Sequence, residues 1–247
     1  MKRLIIIDAS NFIFRAFYAI RPLTSPDGTP VNALYGTTSM ILKIIQNYKP
    51  THLIVANDSP TPTFRKQKFP QYKANRSTPH DDLKVQFPLV NKMIDLMEIK
   101  RLKMDGYEAD DLIATVVVKY QEHFDEVLIA SGDKDLMQLV NQKVKVLDTQ
   151  RDVIYNEEKV FEKFGVKTSQ IQDYLSILGD KSDNVPGVKG IGAKGAAKLL
   201  TDYESLEGIY QNLESIKSDR TKQCVVPQLD LLLRAVSTSD YRTFAKW

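Results

Sequence analysis

Val127-Leu128-Ile129-Ala130-Ser131-Gly132-Asp133-Lys134-Asp135 is the stretch that decides the fold. Four consecutive apolar residues read as a strand buried on both faces, and the Gly-Asp-Lys-Asp that follows ends it in a turn bearing two carboxylates. The same design recurs along the chain. Asp8 ends the run Leu4-Ile5-Ile6-Ile7, and Asp58 closely follows Leu53-Ile54-Val55-Ala56. Glu108-Ala109-Asp110-Asp111 leads into Leu112-Ile113-Ala114, and Gly179-Asp180-Lys181-Ser182-Asp183-Asn184 supplies a further pair. A carboxylate at the end of a buried strand needs a cation to offset its desolvation. Nine such acids read as an oxygen-ligand site for hard divalent cations.

Around these acids the chain alternates strand and helix. Strands are expected at 3–7, Leu53–Ala56, Val127–Ala130 and Val144–Leu147. Helices are expected at Phe12–Ala19 (capped by Ser10 or Asn11), 31–48, Asp81–Met97 (kinked or split at Pro88), Glu108–His123 and Asp135–Val140. Uninterrupted apolar strands between helices predict a largely parallel sheet covered on both faces, with ligands at the strands' carboxyl ends. From about residue 156 the pattern is helical: Glu157–Phe164, Ser169–Leu178, Ala193–Leu200, Leu206–Asn212 and roughly Leu229–Val236.

At 247 residues the chain suits one large domain with an appendage. No apolar run approaches the ~20 residues of a membrane span, and Met1-Lys2-Arg3 enters a strand without a signal-peptide pattern. Cys224 is the lone cysteine, which excludes an internal disulfide, so a cytoplasmic location is expected. Net charge is +3, yet setting aside the nine clustered acids leaves the rest of the chain with 12 more positive than negative charges. A basic body around an acidic pocket suits a polyanionic substrate brought to metals.

Each cluster also has a plainer role open to it. Acids in a helix's first turn compensate its dipole, and Gly-Asp-Lys-Asp is good turn chemistry. Glu108 and Asp111, at i and i+3, share a helix face, with Asp110 partly aside. Two metals ~3.5–4 Å apart would clamp the attacking and leaving oxygens of a phosphodiester. Between Phe64 and Arg76 lie five basic residues and three aromatics with no acid, suited to phosphates and unpaired bases or else simply a solvated loop. Gly187-Val188-Lys189-Gly190-Ile191-Gly192-Ala193-Lys194 enters a helix containing Lys198 and reads as a tight turn or a helix-hairpin-helix gripping duplex backbone.

In this order, with Tyr72-Lys73-Ala74-Asn75-Arg76 between them, the motifs resemble the bacterial 5′-nuclease (flap endonuclease) family over about residues 3 to 240. The resemblance implies an α/β fold: a PIN-like nuclease domain at 1–155 with a helical arch at about 59–97. A helical DNA-binding region at 156–247 would follow, with a helix-three-turn-helix (helix-hairpin-helix) at about 184–202. It implies 5′-3′ exonuclease and flap endonuclease activity near single-strand/double-strand junctions, in replication and repair, with two Mg²⁺ or Mn²⁺ ions. By motif match Asp8, Asp58, Glu108 and Asp110 would serve the first metal; Asp111, Asp133, Asp135, Asp180 and Asp183 would serve the second or its water shell. Lys73 and Arg76 would steer the scissile phosphate and Tyr72 would stack on DNA. Arg65, Lys189, Gly190, Gly192, Lys194 and Lys198 would also contact DNA, and carbonyls of Gly187, Val188 and Ile191 would hold K⁺. Asn57 and Gly195 depart from the usual pattern without removing a ligand.

A Toprim-type site would not account for Asp8, Asp58 or the glycine-rich hairpin, and a PIN-domain ribonuclease would lack residues 156–240. A non-catalytic DNA-junction binder is the alternative of a different class. Expected partners are DNA, with DNA polymerase I or a sliding clamp as further ones, for a monomer with no membrane contact. Gln228-Leu229-Asp230-Leu231-Leu232 resembles a clamp-docking peptide, although Leu229, Leu232 and Leu233 have the spacing of a core face.

Overall fold

The structure, a computed structural model, describes residues 1–216. The helix expected at Leu229–Val236 and the clamp-like peptide at 228–232 lie outside the described residues. In chain order the elements are β1 (Arg3–Asp8), α1 (Ala9–Ala19), α2 (Asn32–Tyr48), β2 (His52–Ala56), α3 (Phe64–Lys68), α4 (Asp81–Lys84), α5 (Gln86–Leu96), β3 (Lys100–Leu102) and α6 (Ala109–Tyr120). Then come β4 (Glu126–Ala130), β5 (Val144–Asp148), β6 (Val153–Tyr155), α7 (Glu157–Phe164), α8 (Ile171–Leu178), β7 (Gly179–Asp180), β8 (Val185–Pro186), α9 (Ala193–Tyr203) and α10 (Leu206–Gln211).

Six strands form one sheet in the order β3-β2-β1-β4-β5-β6, with every pairing parallel except β5 with β6. Alternate residues of β1 serve opposite faces, as the two-residue period of a strand requires. Leu4 and Ile6 join a core with Ile113 and Val117 of α6, and with Ile171, Leu175, Leu199 and Leu206 of the C-terminal helices. Ile5 and Ile7 join the other core, with Phe12 of α1, Ile41 and Ile44 of α2, and Val90 and Ile94 of α5. The C-terminal helices therefore share apolar packing with the sheet. Because β2 and β4 flank β1 on either side, the strand order reverses there, opening a crevice at the carboxyl end of β1. Asp8 stands at that point.

Several expectations need correction. Asp8, not Ser10 or Asn11, caps α1, its Oδ1 accepting from the Asn11 N–H at 3.1 Å. The break in the Asp81–Met97 helix falls at Val85; Pro88 sits in the first turn of α5, where its missing N–H costs nothing. The arch expected at 59–97 divides: Val90 and Ile94 bury α5 in the core, leaving 59–80 as a short helix and turns. The helical pair does not begin at residue 184 but with α8, which ends at Leu178. The small β7–β8 hairpin follows it before α9. Gly179 (φ 72°) and Gly187 make this hairpin possible, since a Cβ on either would lie 2.2 Å from backbone atoms.

One buried polar group ties this scaffold together. Val31, at the N-cap of α2, has no side-chain acceptor, and Gln86 fills that role from α5. Its Oε1 accepts from Ala33 N (2.7 Å) and Leu34 N (3.2 Å), and its Nε2 donates to Asn32 Oδ1 and Asp82 O. Gln86→Leu strands these buried groups, with an expected loss of about 2–3 kcal/mol in urea unfolding. A loss below about 0.5 kcal/mol would mean the cap is not needed.

Candidate active site

The carboxyl ends of β1, β2 and β4 and the start of α6 converge at the crevice. Asp8, Asp58, Asp110 and Asp133 line a cleft of about 350 Å³ together with Asn11, Arg15, Tyr18, Lys73 and Arg76. Local hydrogen bonds fix the acids. Ser131 Oγ donates to Asp8 Oδ2 (2.8 Å) and accepts from Asp133 N (3.1 Å). Ser10 Oγ donates to Asp58 Oδ2, whose partner oxygen accepts from Ala109 N (2.8 Å). Asn11 Oδ1 accepts from Gly132 N, joining α1 to the turn after β4.

Such a concentration of buried like charge is costly. Burial, together with the charges of Asp58 and Asp133, raises the pKa of Asp8 to about 7. Burial and the charges of Asp133 and Asp8 hold Asp110 well above the usual carboxylate range. Asp133 is also raised, by burial first and then by Asp183. A second group lies beside the first: one oxygen each from Asp135, Asp180 and Asp183 fall within 4.8 Å of one another. Burial and the charge of Asp133 raise Asp135 well above its usual range. Asp180 goes the other way, because Ser182 and Lys134 outweigh its burial; Lys134 Nζ lies 3.0 Å from it.

Five sequence expectations change here. Arg65, expected on DNA, is fully buried, and its Nη1 and Nη2 bond both oxygens of Asp111 at 2.7 and 2.6 Å. Asp111, expected as a metal ligand, is consumed by that pair and by the N–H of Glu108 at the start of α6. Tyr72, expected to stack on DNA, is 5 % exposed, and its hydroxyl donates to Glu108 Oε2 (3.0 Å) and Asp183 Oδ2 (3.1 Å). Burial and those two acids push its pKa far above the normal range, so the hydroxyl keeps its proton. Glu108 faces Tyr72 and Lys73 rather than standing among the acids of the cleft; Lys73 Nζ lies 3.0 Å from its Oε1. Asp133, expected in the second group, lines the cleft with the first.

Lys73 and Arg76 enter the cleft from the segment after α3. Burial disfavours the Lys73 charge, but Glu108 and Asp183 outweigh it and raise its pKa. Arg76 Nη2 lies 2.5 Å from Asp183 Oδ1. Past β8, Lys189, Gly190, Gly192, Lys194 and Lys198 lie on the turn and first two turns of α9. In the same turn the Val188 carbonyl accepts from Ile191 N at 3.1 Å, and Gly187 approaches the α8 C-terminus. Asn57 is accommodated by donating to Asn91 Oδ1 of α5. The sequence reading missed Asn11, Arg15 and Tyr18. Their spacing from Asp8 (three, seven and ten residues) is one helical face and was available as a signal. Ser131 carried no signal beyond its place in a turn.

A family model described as 5′-3′ exonuclease, N-terminal resolvase-like domain, matches residues 3–165, and one described as 5′-3′ exonuclease, C-terminal SAM fold, matches 166–237. A 5′-3′ exonuclease of Aquifex aeolicus is 41% identical over 219 residues, covering 89% of this chain and 76% of that protein. DNA polymerase I of Borreliella burgdorferi is 46% identical over 220 residues, but these span 87% of this chain and only 24% of the polymerase. Among solved structures, T5 5′-exonuclease with bound divalent metal ions (zinc) superposes with a TM-score of 0.84 at 25% identity, covering 99% of this chain and 91% of that one. The catalytic core of Rad2 with DNA substrate shares the fold alone, with a TM-score of 0.60 at 16% identity, over 96% of this chain and 73% of that one. From the convergent acids and these matches together, the chain belongs to the 5′-3′ exonuclease family.

Proposed function

We propose that this 5′-nuclease hydrolyses DNA phosphodiesters near single-strand/double-strand junctions, with two divalent cations held by two carboxylate groups. The observation that carries the reading is the cleft itself. Asp8, Asp58, Asp110 and Asp133 face Lys73 and Arg76 across it, and Asp135, Asp180 and Asp183 converge beside it. The donor set fits hard cations: every candidate ligand is a carboxylate oxygen, and repulsion among buried acids is what a divalent ion relieves. Asp8, Asp58, Asp110 and Asp133 would hold one ion and Asp135, Asp180 and Asp183 the other. When bound, Mg²⁺ or Mn²⁺ would activate water and offset charge on the leaving oxygen.

The chain's own groups do the rest. Lys73 and Arg76 present cations where the phosphate must sit, and a phosphate would take them over from Glu108 and Asp183. The Tyr72 hydroxyl bridges Glu108 and Asp183 and so ties the two halves of the site. Asp180 and Asp183 lie on the connector between α8 and α9, which would couple a duplex gripped by the α9 turn to the second acidic group. Potassium at the carbonyls of Gly187, Val188 and Ile191 and association with DNA polymerase I rest on the family resemblance, and docking on a sliding clamp rests on the Gln228-Leu229-Asp230-Leu231-Leu232 peptide. No helix among the described residues is long and apolar enough to cross a membrane. We place the activity in the cytoplasm, at the nucleoid. A junction binder without catalysis has no use for seven carboxylates that repel phosphate, which argues against that alternative.

The two basic groups should separate in kinetics. Lys73→Ala is expected to lower the single-turnover rate at saturating flap DNA by about 10²-fold. Lys194→Ala with Lys198→Ala should instead weaken binding and reduce the salt slope by about 2. Equal loss of saturated rate in both variants would overturn the division.

A further inference from the structure

Residues 71–76 and 181–184, more than a hundred positions apart, grip each other closely. Lys73 N donates to Asp183 O (2.9 Å), Asn184 Nδ2 to Gln71 O (2.8 Å), Asn75 Nδ2 to Lys181 O (2.7 Å) and Arg76 Nε to Ser182 O (3.4 Å). Both segments carry a non-glycine residue in the left-handed region at the contact, Lys73 with φ 54° and Asn184 with φ 57°. Asparagine tolerates that conformation, whereas lysine adopts it only where its surroundings hold it there. What holds Lys73 is visible: its own N–H sits on the Asp183 carbonyl, and the preceding Gln71 carbonyl is pinned by the Asn184 amide. In that conformation its ammonium reaches Glu108 and faces the cleft.

We propose that Asn184 is a positioning residue: its amide latches the 71–76 turn onto the acidic hairpin and thereby aims Lys73 at the reacting phosphate. This rests on the nuclease reading above and adds a residue to it. Without the amide, the Gln71 carbonyl keeps only the Ala74 N–H of its own turn, and the turn loses its anchor ahead of Lys73, staying tied to the hairpin through Lys73 N, Asn75 and Arg76. Lys73 then relaxes toward negative φ, carrying its side chain out of line. Asn75 is the matching strut from the opposite side.

Asn184→Gly keeps the left-handed backbone and removes only the amide, while Asn184→Asp keeps the shape and removes the donor. Both are expected to lower the single-turnover rate at saturating flap DNA by about 10- to 100-fold, the range that a misplacement of about 1 Å produces, with Kd for DNA changed less than about threefold. In a Lys73→Ala background the same changes should cost less than about twofold, because the aim of an absent ammonium no longer matters. With neither metal nor DNA present, trypsin should cut after Lys73 several-fold faster in Asn184→Gly than in wild type.

Wild-type rates in the Asn184 variants, or losses that multiply with Lys73→Ala, would overturn the positioning role. A change confined to Kd would do the same. If Lys73→Ala itself is silent while Asn184→Gly is slow, the assignment of Lys73 fails along with this route of action. A slow Lys73→Ala beside a fast Asn184→Gly rejects the latch alone. Should Asn184→Gly fail to fold, Asn75→Ala removes the opposite strut and gives the same three readouts.

Discussion

Asp8→Asn is expected to lose at least about 10³-fold in cleavage rate, some 4 kcal/mol of barrier, while making the metal-free protein more stable above neutral pH. Both effects have one cause. The carboxylate at the switch point of the sheet is where a cation is needed, and without one its charge is repelled by Asp58 and Asp133. Asparagine keeps the Oδ1 that caps α1, so the helix start is preserved. The pH dependence follows from the direction of the shift. An aspartate ordinarily titrates at 3.8, whereas Asp8 in the metal-free fold titrates at about 7, so the folded state holds the proton more tightly than the unfolded chain. That stability is fully present below the unfolded value and is lost as pH rises through the folded one. Wild-type Tm without metal should therefore fall between about pH 4 and pH 8 more steeply than Tm of Asp8→Asn, and Mg²⁺ should restore wild type at the upper end. A variant with full activity, or one that melts lower than wild type at pH 8 without metal, would contradict the assignment.

Arg65→Met is expected to be the most damaging change to the fold, by about 3–5 kcal/mol, because it leaves the Asp111 charge buried without its partner. Arg65 is fully buried and Asp111 only 1 % exposed, so water cannot replace the lost bonds. Pairing it with Asp111→Leu should recover most of the loss, since a buried ion pair is often matched by apolar packing of similar volume. Urea unfolding of the two variants measures this. A single variant as stable as wild type, but with weakened DNA binding, would return Arg65 to the role its sequence neighbourhood had indicated.

That exchange of roles shows what the sequence could and could not reveal. The buried strands were legible because β1, β2, β4 and β5 are rich in apolar residues and the first three run without interruption. The acids at their ends stood out because nothing apolar nearby accounts for them. Arg65 misled because it sits among Lys66, Lys68 and Lys73, where a basic residue reads as solvated. Its partner is 46 positions away, on α6, and only the folded chain brings them together. Asp111 misled for the complementary reason: in Glu108-Ala109-Asp110-Asp111 the three acids look equivalent, yet helix geometry turns one into the core and one into the cleft. The edge strands β3 (Lys100–Leu102) and β6 (Val153–Tyr155) have three residues each, too few for a periodic signal. The latch through Asn184 was invisible for another reason, since it bonds main-chain carbonyls that any sequence would supply.

The most direct test of the two-carboxylate nuclease site is cleavage of a labelled 5′-flap duplex with Mg²⁺ or Mn²⁺, repeated in excess EDTA and with Asp133→Ala. Incision near the junction, abolished by EDTA and reduced by about 10³-fold or more in the variant while DNA is still bound, is the predicted result. Cleavage that persists in EDTA, or saturable flap binding with no incision under any divalent cation, would contradict it.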